Sequence, residues 1–314
     1  MKITVLDNAT LANTSLACLE QLGSLKTYEL TSPEQVVEHS QGADILITNK
    51  VVLNRETISQ LKNLKLICVS ATGTNNVDLE AAKDHGIAVT NVAGYSTPSV
   101  VQHTFSLITN LLGNTHRYQA DCQQGAWQKS EMFCRLDYSF NDLQGKTLTI
   151  IGGGTLGHAV ANVAEAFGAN VVMSERKGAP CRDGRTPFDE AIKTADIISV
   201  HCPLTEETRN LITLNEFKVM KPSCIIINTA RGGIINEADL TSALEQNIIA
   251  GAGVDVLTKE PAELSNPLAN YKGNNLLLRP HIAWASTESI VRLVKEVSLN
   301  IKAFKQGESR SRLV

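Results

Sequence analysis

The residues able to do chemistry in this 314-residue chain recur at one kind of place, just beyond short apolar runs. Behind TLTII comes GGGTLG, where Gly152, Gly154 and Gly157 satisfy GxGxxG between a strand-like run and a helical one. In that context the first glycine permits a tight turn, the second lets backbone approach a pyrophosphate, and the third allows close helix packing. The diphosphate then rests on the positive end of a helix, with Thr155 and Leu156 also in the cofactor-binding set. The next strand-like run, NVVMSE, ends in Glu175, eighteen residues past Gly157, where an acidic residue takes a ribose 2′-hydroxyl. This spacing favours NAD. Arg176 and Lys177 follow at once, where cations can meet a 2′-phosphate, so NADP stays open as a secondary cofactor.

Three further segments carry a polar group at or beyond the end of an apolar run: IIINTARGG with Arg231, GAGVDVLTKEP with Asp255 and Glu260, and LLLRPHIAW with His281. Ligands bind at that edge of an open α/β sheet. Taken singly, each has a plain explanation: an arginine capping a strand, a solvated glutamate, a packed histidine. Together they supply a cation for a carboxylate, a titratable imidazole, and a carboxylate to keep it protonated, the parts for hydride chemistry on a small oxo acid. No metal site is expected, because His201 and Cys202 are adjacent and no other ligands recur at a zinc-like spacing.

The elements that must position these groups form two alternations of strand and helix. KITVLD, KTYEL, DILITN, KLICVS and IAVTNV read as strands over residues 2–7, 26–30, 44–49, 65–70 and 87–92, separated by helical patterns at 14–23, 32–40, 54–61 and 77–86. A capped helix follows at 96–113, then a polar, irregular stretch at about 114–144 carrying Trp127, Phe133 and Tyr138, either an arm for a partner subunit or a loop folded on its own domain. The second alternation places strands at 147–152, 170–175, 196–202, 224–230, 248–256 and 275–283, and closes on a long helix at 286–307. Continuously apolar strands between helices predict two doubly wound parallel-sheet domains, an α/β fold.

Composition narrows the function classes. With 29 Lys+Arg against 32 Asp+Glu, the net charge of −3 gives no electrostatic reason to expect nucleic acid or an anionic membrane surface. No apolar run approaches the ~18 residues of a membrane span, and the opening MKITVLD resembles neither a signal nor a transit peptide. Seven cysteines, an odd number without a CxxC pair, read as reduced core thiols. A cytoplasmic protein is the expectation.

The segments TGTNNVD, YSTPSVVQHTF, GGGTLG, HCPLTEET, NTARGG, DVLTKEP and RPHIAW together resemble the D-isomer-specific 2-hydroxyacid dehydrogenase family over nearly the whole chain. The pairing of TGTNNVD and YSTPSVVQHTF with the WAST ending is most similar to its glycerate dehydrogenases, also called hydroxypyruvate reductases. The resemblance implies a flavodoxin-like substrate domain, residues 1–97 with 286–314, and a Rossmann nucleotide domain, 98–285, with the active site in a cleft closed by a hinge. It implies that Arg231 clamps the substrate carboxylate and polarises the 2-oxo group, that His281 is the acid/base, and that Glu260 bonds its other ring nitrogen. Backbone amides of Thr72, Gly73 and Thr74 would help hold the carboxylate, with Trp284 near the substrate. His201, Cys202, Pro203 and Thr208 would wall the adenosine side, and Thr229, Ala230 and Asp255, with His281, would stand near the nicotinamide.

The implied reaction is hydride exchange between NAD(H) and a small 2-hydroxy acid or 2-oxo acid, D-glycerate and hydroxypyruvate first, glyoxylate or D-lactate as alternatives. Asn75, Asn76, Tyr95, Trp284 and the 130–136 loop are the expected determinants of substrate size. A homodimer through the nucleotide domain and the 114–144 arm is implied as well. A reading from another class also stands: some transcriptional corepressors resemble this family in fold and keep the arginine, glutamate and histidine, which would make the chain a dinucleotide sensor. The compact length and near-neutral charge speak against it.

Overall fold

A computed structural model describes residues 1–314, which divide into two units, Met1–Pro98 with Ala285–Val314, and Ser99–Trp284. In the first unit five strands, β1 (Lys2–Val5), β2 (Ser24–Thr27), β3 (Ile45–Thr48), β4 (Leu66–Val69) and β5 (Ala88–Thr90), pair in parallel in the order β2-β1-β3-β4-β5. That is the flavodoxin-like order. The central runs ILIT and LICV are buried along their whole length, because helices cover both faces of such a sheet and leave no solvated side for a polar residue. Between the strands lie α1 (Ala17–Glu20), α2 (Val36–Ser40), α3 (Arg55–Gln60) and α4 (Leu79–Asp84). Asn54 caps α3 by accepting from the Thr57 amide at 2.9 Å, and Asp78 caps α4 through the Ala81 amide at 2.8 Å.

The second unit opens with α5 (Thr97–Gly113), whose first two residues belong to the first unit, and α6 (Thr115–Gln123). Then β6 (Thr147–Ile151), α7 (Thr155–Ala166), β7 (Asn170–Ser174), α8 (Phe188–Thr194), β8 (Ile197–Val200) and α9 (Leu214–Val219) alternate. They are followed by β9 (Ile225–Asn228), α10 (Glu237–Glu245), β10 (Gly251–Val254), α11 (Pro267–Asn270) and β11 (Leu276–Leu278). All six strands run parallel in the order β11-β10-β9-β8-β6-β7, and a single-residue bridge from Thr186 to Ser174 extends the sheet past β7. Counting that bridge as a vestigial third strand gives the dinucleotide-binding order, which reverses between β6 and β8. One core lies under Phe188, Ile198, Ile226 and Leu240, and a second joins α5 and α7 to the other face through Leu107, Ile108, Val160 and Leu148. A Cβ on Gly253 of β10 would stand 3.0 Å from the Leu107 Cβ, so this glycine lets α5 close onto the sheet.

The last helix is α12 (Thr287–Lys305), in the first unit, where the Arg292 Nε donates to the Tyr95 carbonyl at 2.9 Å and the Asn300 side-chain Nδ2 to the Asn91 carbonyl at 3.0 Å. Three local expectations need correction. The 114–144 stretch is not wholly irregular: α6 and a 3-10 turn at Trp127–Lys129 form within it, and α6 escapes an apolar-pattern search because none of its residues is buried. β2 falls at 24–27 instead of 26–30, since an edge strand with no buried residue carries little apolar signal. The helix expected over 14–23 is a single turn, Ala17–Glu20. No helix is long and apolar enough to cross a membrane.

Candidate active site

The glycine turn after β6 is sterically obligatory. Gly152 has φ +107°, and a Cβ there would lie 2.4 Å from the Cys202 nitrogen and 2.5 Å from the His201 carbonyl carbon, so the loops after β6 and β8 meet at the point where strand order reverses. A Cβ on Gly157 would fall 2.0 Å from the Gly152 carbonyl oxygen, which is why the first turn of α7 can pack so tightly. Gly154 differs: a Cβ would meet nothing within 4 Å, and as N-cap of α7 it offers no side-chain acceptor to the helix amides. Uncapped amides of Thr155, Leu156 and Gly157 beneath open space are what a diphosphate requires, so this turn fits the dinucleotide expected from the sequence.

Glu175 follows β7 and is 3% exposed. Its Oε1 accepts from the Arg176 amide at 2.8 Å and the Arg182 Nη2 at 2.7 Å, and its Oε2 accepts from the Arg182 Nε at 2.6 Å and, at 3.3 Å, the Arg182 amide. The Arg182 guanidinium, with these amides, holds the carboxyl down to about 2. Lys177 is paired with Glu216 at 2.8 Å, while Arg176 is exposed.

On the wall after β8, the His201 Nε2 meets the Ser199 hydroxyl at 2.8 Å, its Nδ1 is buried without a partner, and burial drives the ring down to about 4, a neutral imidazole. Burial pushes the Cys202 thiol up to about 11, so it is not a nucleophile at neutral pH. The Thr208 hydroxyl donates to the Pro203 carbonyl at 2.7 Å and fixes the shape of this loop.

At the ends of β9, β10 and β11 the remaining groups converge. The Asn228 side chain staples the loop after β9, accepting from the Ala230 amide at 3.0 Å and donating to the Arg231 carbonyl at 2.9 Å. Thr229 is buried, its hydroxyl 3.1 Å from that of Thr104 on α5. Arg231 is exposed, with Nη1 on the Ala230 carbonyl at 2.7 Å and its other guanidinium N–H groups available to an anion. A Cβ on Gly232 would sit 1.9 Å from the Leu257 carbonyl carbon, so only glycine lets this loop close against the one that carries Glu260. Glu260 accepts from the Leu257 amide through Oε1 at 2.9 Å and meets the His281 Nδ1 through Oε2 at 2.5 Å.

His281 itself adopts φ +54°, a left-handed conformation costly for a residue with a Cβ. Asp255, 1% exposed, holds it there: its carbonyl accepts from the His281 amide at 2.8 Å, and its carboxylate accepts from the Ile282 amide at 2.9 Å and the Ala283 amide at 2.8 Å. The Trp284 indole donates to the His281 carbonyl at 2.9 Å. Asp255 is thus engaged in shaping the histidine loop, whatever else it touches. Two residues absent from the sequence expectations join the site: His103 on α5, with Nε2 3.5 Å from the Asp255 Oδ1, and Arg182. His103 sits mid-helix in VVQHTF and gives no outward signal. Arg182 lies in the basic loop SERKGAPCRDGR, whose charge is visible but whose fold is not.

Thr72, Gly73 and Thr74 belong to the first unit, beyond β4. There the Thr72 hydroxyl donates to the Val92 carbonyl at 3.0 Å, the Asn91 side chain to the Thr72 carbonyl at 2.7 Å, and the Val77 amide to the Thr74 carbonyl at 3.0 Å.

A Rossmann unit with a carboxylate-paired histidine and an exposed arginine at its strand ends defines a nucleotide-dependent dehydrogenase architecture. Comparison with known proteins agrees. Residues 105–283 match the family model for the NAD binding domain of D-isomer specific 2-hydroxyacid dehydrogenases. The chain is 41% identical over 287 residues to a glycerate dehydrogenase of Methylorubrum extorquens, covering 91% of this chain and 90% of that one. It is 35% identical over 316 residues to a hydroxypyruvate reductase of Blautia hydrogenotrophica, covering 98% of each. Among solved structures, an acyclic imino acid reductase in complex with NADPH and D-Arg superposes with a TM-score of 0.87 at 28% identity, covering 100% of both chains. The chain belongs to the D-isomer specific 2-hydroxyacid dehydrogenases, and its chemistry is NAD-linked oxidoreduction of 2-hydroxy acids.

Proposed function

We propose that the protein is a glycerate dehydrogenase working as a hydroxypyruvate reductase, with His281, Glu260 and Arg231 as its catalytic residues. The observation that carries this reading is the His281 Nδ1 to Glu260 Oε2 contact at 2.5 Å, made by a histidine whose strained backbone is fixed through Asp255. With Nδ1 engaged by Glu260, which fixes the ring, Nε2 is the nitrogen left to exchange a proton with the substrate oxygen. Arg231 offers paired N–H donors to the acid's carboxylate and to the 2-oxo oxygen, orienting C2 and polarising its carbonyl. NADH held at the glycine turn would supply the hydride. Hydroxypyruvate gains that hydride at C2 and the His281 proton at oxygen, giving D-glycerate, and the reverse path returns both.

Hydroxypyruvate and glyoxylate are the proposed substrates, in that order, the first supported by the similarity to a glycerate dehydrogenase and a hydroxypyruvate reductase and by the resemblance of the WAST segment. Thr72, Gly73, Thr74 and Trp284 are the proposed substrate-binding residues. Gly152, Gly154, Thr155, Leu156, Gly157, Glu175, Arg176, His201, Cys202, Pro203, Thr208, Thr229, Ala230, Asp255 and His281 are those proposed for the cofactor. NAD is proposed as the main cofactor. A cytoplasmic homodimer completes the proposal, supported by the apolar side chains Trp127, Met132, Phe133, Leu136 and Phe140 standing exposed in one short stretch, Phe133 at 91%. Sedimentation at micromolar concentration should give twice the chain mass, and a monomer would refute it.

The test of activity is NADH consumption with hydroxypyruvate, glyoxylate, pyruvate and a bulky 2-oxo acid. Highest kcat/KM with hydroxypyruvate is expected. A preference for pyruvate or the bulky acid would overturn the substrate assignment, and tight NADH binding without turnover of any acid would favour a dinucleotide sensor.

A further inference from the structure

Glu175 stands where the ribose 2′-hydroxyl of NAD is expected, yet Arg182 and the Arg176 amide already fill its acceptor positions. A carboxylate has about four such positions, and four donors are present here. The guanidinium is bidentate on a nearly buried acid while its own side chain is 61% exposed, so its outer face is turned to solvent beyond the end of β7. A second guanidinium lies close by: a Cβ built on Gly153 would fall 2.2 Å from the Arg185 Nη2, and the Arg185 Nη1 reaches the Ser174 carbonyl at 3.5 Å. Arg176 is exposed too but lies within electrostatic reach of Glu207, and Lys177 is taken up by Glu216. Two arginines, Arg182 and Arg185, beside one acid leave an excess of positive charge near the glycine turn, the environment of a phosphate dianion rather than of a neutral hydroxyl.

We propose that Arg182 is a cofactor-specificity residue: closed over Glu175, it cancels the repulsion that an acid at this place presents to a 2′-phosphate and, with Arg185, supplies cations for that phosphate. The chain then accepts NADPH alongside NADH, with Arg182 drawn off Glu175 when the hydroxyl takes its place on the acid and left closed on Glu175 when the phosphate binds. This rests on the reading above that the adenosine ribose lies at the end of β7, and it goes further by naming the residue that sets the preference.

The test is equilibrium binding of NADH and NADPH by titration calorimetry to the full chain and to Arg182→Ala, Arg182→Lys and Glu175→Gln, each first shown to melt cooperatively. Wild type should bind the two cofactors within about tenfold of each other, the NADPH affinity falling more steeply with added salt. Arg182→Ala should weaken NADPH by about 10- to 100-fold, the range for losing a charge-assisted contact, while NADH is held or tightened because Glu175 is released. Arg182→Lys, which keeps the charge without the fork, should fall between. Glu175→Gln should weaken NADH by about tenfold and spare NADPH.

Failure of NADPH to bind the wild type, or equal weakening of both cofactors by Arg182→Ala while Glu175→Gln still weakens NADH, would overturn this inference and leave the ribose placement intact. If none of the variants changes either affinity, the ribose does not lie at β7, and both readings fall.

Discussion

The Asp255→Asn substitution should separate the residue that shapes the histidine loop from the residues that react. The carboxylate is 1% exposed and its two oxygens each accept from one successive amide, Ile282 at 2.9 Å and Ala283 at 2.8 Å. Asparagine is nearly isosteric, but it keeps one acceptor and turns an NH2 toward the other amide, so one charge-assisted bond becomes a donor facing a donor. Each such bond to a charged group is worth ~1.5–3 kcal/mol, and the left-handed φ of +54° at His281 then loses part of what enforces it. A net destabilisation of about 2–3 kcal/mol follows, or roughly 5–10 °C in the melting of a unit this size. Catalysis should suffer separately: an ångström of displacement at a reacting group costs on the order of 100-fold, so kcat should fall by about 10- to 100-fold, a larger loss than any in NADH affinity. Calorimetric melting, hydroxypyruvate turnover and NADH titration on one preparation measure all three. A variant with wild-type melting and wild-type kcat would refute the assignment of Asp255 as the support of the catalytic loop.

Glu260→Gln leaves the packing but replaces the carboxylate beside Nδ1 of His281 with a neutral amide, and kcat for reduction should drop by about 10- to 100-fold; turnover within twofold of wild type would contradict a role for the pairing. Gly152→Ala places a Cβ 2.4 Å from the Cys202 nitrogen at φ +107°, and calorimetry should find NADH affinity lowered by at least about 100-fold; affinity within twofold of wild type would mean the turn is not the diphosphate cradle. His201 is held neutral, at about 4 against an ordinary 6.5, so the unfolded chain binds its proton first as pH falls. Its contribution to stability is therefore complete above pH 6.5 and lost between 6.5 and 4, about 3 kcal/mol in all, and His201→Gln should show a shallower acid limb in denaturant titrations at stepped pH.

Different features were legible in the sequence for different physical reasons. The glycine turn was readable because its requirement is local: a positive φ at Gly152 and a van der Waals contact at Gly157 can be met only by glycine, and the flanking apolar runs set the strand and helix that give the pattern meaning. The buried strands were readable because ILIT, LICV and IIIN have no polar side to expose. Helix α6 was not, since a helix with no buried residue leaves no periodicity to detect. The ion pair of Arg182 with Glu175 was hidden for another reason: it depends on how a seven-residue connection folds back, and several arginines of that segment were equivalent candidates. The shaping of the His281 loop by Asp255 was likewise out of reach, because it joins backbone amides to a side chain 27 and 28 residues away.

The central claim, that His281 moves the proton while the chain exchanges hydride between NAD and a D-2-hydroxy acid, is tested most directly by NADH formation from the two enantiomers of glycerate. Wild type should oxidise D-glycerate and leave L-glycerate untouched, and His281→Ala should lose the activity by about 100-fold or more while still binding NADH. Oxidation of the L enantiomer, or near-wild-type turnover by His281→Ala, would contradict it.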